Sequence, residues 1–220
     1  MNVLVIAPHS DDEILGVGGT MAKHIAASDD VYVCVVANHD APLYTAEQKN
    51  IIRSETVEAH KYLGIKKTYF LDYIAVLLHE EALYKVNGSI RDVVFEVQPE
   101  IVYIPHFGDV HMDHQIVALG SQVAVRPVGQ SFIKAVYAYE TLSETEWNAP
   151  HSANIFIPNC YVDISEYLDT KLEAMRKFKS QLYVGSHPRS LNSITALAQY
   201  RGSSVSVRAA EAFSLIKKIC

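Results

Sequence analysis

Two short stretches concentrate the residues able to do chemistry: His9-Ser10-Asp11-Asp12-Glu13 and, about a hundred positions later, Asp109-Val110-His111-Met112-Asp113-His114. Both mix imidazoles with carboxylates, and neither holds a cysteine. Nitrogen and oxygen donors without thiolate suit Zn²⁺ in a catalytic site, where three protein ligands leave one coordination position open. Two histidines and one aspartate drawn from the two stretches would complete such a set. A further carboxylate could act on a metal-bound water, whose pKa the ion lowers to roughly 7. The remaining histidine and aspartate could place an imidazolium beside a developing oxyanion. These are the parts of metal-assisted amide hydrolysis.

The elements that must position them follow from hydrophobic patterning. Val3-Leu4-Val5-Ile6-Ala7 is a continuous apolar run of the kind a strand shows when both its faces are covered. It feeds the first stretch directly, and a helical pattern begins at Ile14. Val31–Val36 gives strand two, which closes a βαβ unit. A polar loop over 38–48, a helix over 47–63 ending at Gly64 and a strand over 68–71 come next. A helix over 79–97 follows, open to interruption at Asn87-Gly88. Ile101–Ile104 is strand four, and the second stretch leads from it into a helix ending near Val125. Phe132–Tyr139 is strand five. Beyond Tyr139 the rhythm changes: residues 155–157 and 161–164 read as a hairpin, Ser165 as the cap of a helix to Lys179, and residues 205–219 as strand or helix. The expected fold is α/β: a Rossmann-like, mostly parallel sheet flanked by helices over 1–139, with a smaller mixed cap over 140–220, all in one domain of 220 residues. In open sheets of this kind ligands bind beyond the carboxyl ends of strands. Both stretches follow such ends and would face one crevice.

Composition narrows the function classes. The formal net charge is −6, with no basic run, which argues against nucleic acid and against an anionic membrane as partner. No stretch approaches the ~18 apolar residues that span a bilayer. Three scattered cysteines suit a reducing compartment, and the reading is a cytoplasmic protein, monomer or homo-oligomer. Gly16, Gly18 and Gly19 do not form GxGxxG, and acids stand where a pyrophosphate would need amides, so a dinucleotide site is disfavoured. Each candidate residue also has a plainer explanation. Asp11 and Glu13 are favoured at any helix start, and His111 or His114 alone could be a cap. His39, His106 and His187 are placed to contact a substrate, whereas His24, His60 and His79 fall in helical patterns as surface or structural groups.

The residues resemble a known family. Ala7-Pro8-His9-Ser10-Asp11-Asp12-Glu13 is similar to the His-Pro-Asp-Asp-Glu signature of the sugar N-deacetylases related to LmbE and PIG-L, and His111-Met112-Asp113-His114 to their His-x-Asp-His signature. Weaker likenesses run through Arg53-Ser54-Glu55, Leu63-Gly64, Lys171, Ser180-Gln181 and Ala210–Phe213. The resemblance implies that His9, Asp12 and His114 bind one Zn²⁺ per chain. It further implies that Asp11 is the general base, that His111 stabilises the oxyanion or protonates the leaving amine, and that Asp113 orients His111. Arg53 resembles an arginine that contacts substrate or acetate, although an ion pair on its own helix would explain it too. Ser10 stands where the family has proline, which loosens the turn without removing a ligand. Asp109 stands where some members carry a tyrosine. The implied activity is removal of an N-acetyl group from an amino sugar or its small-molecule conjugate, of N-acetylglucosamine type, with nucleotide-linked forms among the candidates. A metal-dependent phosphoester hydrolase and a non-catalytic nucleotide- or metal-binding module are the two competing readings.

Overall fold

The computed structural model describes residues 1–128 and 131–220. Among them, seven strands form one sheet in the order β3-β2-β1-β4-β5-β7-β6. The strands are β1 (Asn2–Ala7), β2 (Asp30–Asn38), β3 (Lys67–Ile74), β4 (Ile101–Pro105), β5 (Ala135–Tyr139), β6 (Cys160–Asp163) and β7 (Ala210–Lys218). The helices are α1 (Asp12–Ala26), α2 (Ala46–Leu63), α3 (Leu83–Val97), α4 (Met112–Ala124), α5 (Leu168–Met175) and α6 (Leu191–Ser203). β3, β2, β1, β4 and β5 are parallel, whereas β7 runs antiparallel to both β5 and β6.

β1 explains the layering. Its side chains alternate, Val3 and Val5 entering one apolar cluster with α1, α2, α5 and α6, Leu4 and Ile6 entering the other with α3 and α4. A strand buried on both faces reads as an unbroken apolar run, which is the pattern seen in the sequence. The chain winds from β1 outward to β2 and β3, then returns to start β4 on the other side of β1. The strand order thus reverses between β1 and β4, and a crevice opens there at the carboxyl ends.

Several boundaries differ from the patterning. The helix over 79–97 is not broken at Asn87-Gly88; it splits earlier, into a 3₁₀ turn at Leu78–Glu80 and α3. Residues 155–157 form no strand, and β6 pairs with β7 instead of closing a hairpin. α5 is shorter than expected, and Ser165 binds Asp163 and the Ala209 amide instead of capping it. The undecided tail is β7. No helix among the described residues is long and apolar enough to cross a membrane.

The C-terminal elements clamp α1 from behind. Glu211 of β7 accepts the amides of Gly19 and Thr20 at 2.9 and 2.7 Å, and Lys171 of α5 bonds both Glu211 (2.6 Å) and the Leu15 carbonyl (2.7 Å). A buried ion pair of this kind is tolerated because its charged atoms find hydrogen-bond partners. Tyr139 closes the other side: its hydroxyl donates to the Ile6 carbonyl at 2.9 Å, and its ring lies where a Cβ on Gly16 would sit, 2.2 Å from Cδ2. Gly16→Ala therefore pits alanine's ~1 kcal/mol better helix propensity against a fully buried ring with no room to retreat. We expect a net destabilisation of about 1–3 kcal/mol, measured as a lower urea midpoint at unchanged slope. A variant as stable as the parent would mean that the ring can yield.

Candidate active site

The turn from β1 into α1 is the first half of the site. Asp11 caps α1 with φ 94°, in the left-handed region, and makes no side-chain cap bond. Such a conformation costs an ordinary residue on the order of 1–3 kcal/mol, and aspartate tolerates it better than most. Neighbouring bonds hold it: the amides of Ile14 and Leu15 donate to the Asp11 carbonyl (3.0 and 2.9 Å), and the Asp11 amide donates to Glu13 Oε2 (3.1 Å). The other Glu13 oxygen meets His60 Nε2 at 2.9 Å, and His60 Nδ1 meets Thr68 Oγ1 at 2.7 Å. Glu13 and His60 thus tie the turn to α2 and β3. His60 is a buried structural group, not a surface one.

The loop from β4 into α4 is the second half. His111 caps α4, its Nδ1 accepting the Asp113 amide at 3.1 Å. His114 Nδ1 bonds Asp109 Oδ2 at 2.9 Å, and Thr145 Oγ1 donates to the other Asp109 oxygen at 2.6 Å. That leaves His114 Nε2 facing Asp12 Oδ2 at 3.1 Å. His9 approaches from the opposite side, with Nδ1 3.4 Å from the same Asp12 oxygen and Nε2 2.9 Å from Asp113 Oδ2. One ligand atom from each of His9, Asp12 and His114 lies within 4.8 Å of the others. Each imidazole has one nitrogen fixed by a carboxylate and the other turned to a shared point, the arrangement by which outer carboxylates set a metal-binding tautomer.

Asp113 departs from expectation. Its carboxylate orients His9, and accepts the Val76 amide at 2.6 Å, instead of orienting His111. The reason is local: His111 spends Nδ1 on the Asp113 backbone, so the two residues already meet through the cap.

Burial disfavours the charge on each of these groups, and partners decide the outcome. For His9 and His114 burial works against the imidazolium, yet the facing carboxylates, Asp113 and Asp12 for His9 and Asp12 and Asp109 for His114, raise both above the ordinary value. Asp12, despite burial, is held well below the usual carboxylate range by His114 and His9. His111 is different: burial, with His9 and His114 nearby, lowers it to about 4, so it is neutral with its proton on Nε2. Burial pushes Asp11 up to about 8, against the pull of Arg189, and a cation held at the neighbouring Asp12 would favour its ionised form.

Three atoms of this centre are buried without a hydrogen-bond partner: Asp12 Oδ1, Asp113 Oδ1 and His114 Nε2. Orphaned buried polar atoms cost about 1–3 kcal/mol each, and a cation among His9, Asp12 and His114 would satisfy the orphans of Asp12 and His114. The donor set fits a divalent metal. A second group, His9 with His111 and Asp113, shares His9 with the first and so is not a separate centre.

A cavity of about 170 Å³ opens onto these residues, lined among others by His9, Asp11, His39, Tyr44, His111 and Arg189. A larger hollow of about 350 Å³ between residues 140–156 and α6 contains nothing from either motif. Of the other expected contacts, His39 lines the cavity. His106 is turned to the Asn154 carbonyl (2.8 Å), and His187 stacks on Tyr183. Arg53 is not in the cavity wall: its guanidinium lies 3.5 Å over the Phe70 ring and 3.3 Å from Asp72. Patterning does not single out Glu144, Gln181 or Arg189 as wall residues, although the segment 140–153 is expected to shape the pocket. Gln181 lies within a weak family likeness, but Arg189 comes from the loop between α5 and α6, where nothing in the sequence marks it.

Comparison with known proteins shows the family. Residues 4–125 match the family model for PIG-L, GlcNAc-PI de-N-acetylase. The chain is 28% identical over 192 residues to a probable N-acetyl-alpha-D-glucosaminyl L-malate deacetylase 2 of Bacillus anthracis, covering 82% of this chain and 81% of that one. Its fold is similar to N,N'-diacetylchitobiose deacetylase from Pyrococcus horikoshii (TM-score 0.76, 23% identity, 98% of this chain and 83% of that one). It is also similar to a 4-carboxy-2-hydroxymuconate hydratase from Pseudomonas putida (TM-score 0.79, 19% identity, 100% and 97%), so this fold alone does not fix a reaction. With the model matching more than half of its length, and over both motifs, the chain belongs to the PIG-L family of de-N-acetylases and is an amidohydrolase.

Proposed function

We propose that this protein is a zinc-dependent deacetylase acting on an N-acetylated amino sugar of N-acetylglucosamine type that carries a small conjugate. The observation that carries the reading is the meeting of His9, Asp12 and His114 around one point, with Asp11 beside it and a cavity in front. Two imidazoles, one carboxylate and no thiolate form the usual donor set of a three-ligand catalytic zinc site. His9, Asp12 and His114 would hold the ion, which supplies Lewis-acid polarisation of an amide carbonyl and acidification of water.

The chain's own groups do the rest. Asp11, turned off its helix into the cavity, accepts a proton from the water that attacks the acetyl carbon. His111 donates Nε2–H to the oxygen that becomes negative. Because His111 is neutral, it acts there as a hydrogen-bond donor. The proton taken by Asp11 passes to the departing nitrogen as the C–N bond breaks, giving acetate and a free amine. Asp113 and Asp109 keep His9 and His114 in their ligating tautomers. The cavity has room for an acetamido group and the adjoining sugar carbons, so the conjugate extends beyond it. The B. anthracis and P. horikoshii relatives are both named for N-acetyl sugars, which supports the same substrate class here. We place the activity in one domain over 1–220, acting without nucleic acid or membrane, in the cytoplasm.

The deciding experiment offers zinc-loaded protein a panel of N-acetylated sugars, including glycosides, disaccharides and nucleotide-linked forms, and assays acetate and free amine. Protein with about one zinc per chain that releases acetate from none of them would overturn the proposal. Asp11→Asn is expected to keep its zinc and lose about 10²- to 10⁴-fold in kcat, read by metal analysis beside turnover. A chelator should abolish activity and added Zn²⁺ restore it. Arg53→Gln, being outside the cavity, should leave KM within about threefold while lowering Tm through the lost contact with Phe70; a large rise in KM would return Arg53 to the substrate.

A further inference from the structure

A residue that caps a helix ordinarily turns its side-chain oxygen back onto the helix's own amides. Asp11 caps α1 and does not do this. Its carboxylate instead accepts a hydrogen bond from Arg189 Nη1 at 3.1 Å, and among the described residues no other side chain donates to it. Arg189 is itself held firmly. Nη1 also reaches Gln181 Oε1 (3.3 Å), Nε donates to Ser143 Oγ (2.8 Å), and Nη2 lies 3.7 Å from Glu144. Its amide donates to His187 Nδ1 at 3.0 Å, and its carbonyl accepts the Tyr183 amide at 3.3 Å. Tyr183 and His187 stack with centroids 4.0 Å apart, and Trp147 meets His187 edge-on at 5.8 Å. Three segments therefore meet at one guanidinium: the turn after β1, the turn after β5, and the loop between α5 and α6.

A guanidinium only 16% exposed is expensive to bury, and partners chosen for stability alone are often outdone by apolar side chains of similar volume. The geometry points to a different use. We infer that Arg189 is a positioning residue of the reaction, holding the Asp11 carboxylate off its own helix and aimed into the cavity. The inference rests on the role proposed above for Asp11. The planar fork explains why arginine serves: one group bonds Asp11, Gln181 and Ser143 at fixed angles, which an ammonium on a flexible stem does not reproduce.

The test pairs kinetics with a structure. In zinc-loaded Arg189→Gln we expect kcat to fall about 100-fold, as displacement of a reacting group by about an ångström does, with KM within about threefold and zinc content unchanged. Arg189→Lys should recover little. Guanidinium ion added to Arg189→Ala should restore part of kcat, which a merely structural arginine would not permit. Asp11→Asn combined with Arg189→Gln should be no slower than Asp11→Asn alone, since the two act as a unit. A crystal structure of the zinc-loaded Arg189→Ala protein should show the Asp11 carboxylate moved from the cavity. A carboxylate left in place, or a rise in KM at unchanged kcat, overturns the inference, the latter result in favour of direct substrate contact. If the parent protein deacetylates nothing, the proposed function fails by itself, and the position of Asp11 in that crystal structure still decides the claim about Arg189.

Discussion

Five carboxylates, those of Asp11, Asp12, Glu13, Asp109 and Asp113, are buried at one end of this sheet, and the local structure is organised around compensating them. Burying an ionised acid without a partner is costly enough that such groups are paired, hydrogen-bonded or neutralised. Four of the five have evident partners: Glu13 has His60, Asp109 has His114 and Thr145, Asp113 has His9 and the Val76 amide, and Asp11 has Arg189. The fifth, Asp12, has His114, His9 and the His9 amide, all at one oxygen. It sits between two imidazoles whose far nitrogens are already fixed, and it keeps an oxygen that bonds nothing. A cation held among His9, Asp12 and His114 would satisfy that oxygen, which makes this group the candidate metal site.

Backbone geometry supplies part of the compensation and all of the convergence. α1 begins at Asp12 and α4 at Met112, so two helix N-termini, each with partial positive charge and unsatisfied amides, open onto the same crevice. They arrive there because β1 and β4 are adjacent and parallel although they lie far apart in sequence. The reversal of strand order at that pair leaves the space above unfilled by a crossing connection. From behind, Glu211 and Lys171 fix α1 along its middle, and Tyr139 packs against Gly16. Ligands on short side chains at a strand end are positioned only as well as the helix that follows them.

What the sequence disclosed and what it withheld divide along physical lines. β1, β2 and β4 were legible because a strand buried on both faces must be apolar throughout, and the metal-type residues because histidine and aspartate clustered at strand ends have few other uses. β7 was not legible: Ala210–Lys218 is apolar at one end and mixed at the other, and its place in the sheet depends on antiparallel pairing with β5, a long-range contact without a local signature. The 155–157 run was apolar but had no strand to pair with. The family resemblance implies that Asp113 orients His111, whereas here the Asp113 carboxylate bonds His9 and only its amide meets His111. Arg53 and Arg189 show the limit most directly. Arg53 carries a family likeness and yet stacks on Phe70, whereas Arg189 has no mark to tell it from any loop arginine and stands in the cavity wall.

That last contrast has a consequence for how this chain divides its labour. The segment matching the family, residues 4–125, contains His9, Asp11, Asp12, His111, Asp113 and His114. The remaining wall of the cavity, Glu144, Gln181 and Arg189, comes from beyond it. The candidate site residues thus lie at two strand ends whose geometry the parallel sheet dictates, whereas part of the cavity wall comes from connections that the sheet leaves free. Because Arg189 touches both Asp11 and this outer wall, the two are not independent. If Arg189 positions Asp11 as inferred, a change in the loop between α5 and α6 would act on the orientation of Asp11 as well, and selectivity and turnover would be coupled through one side chain.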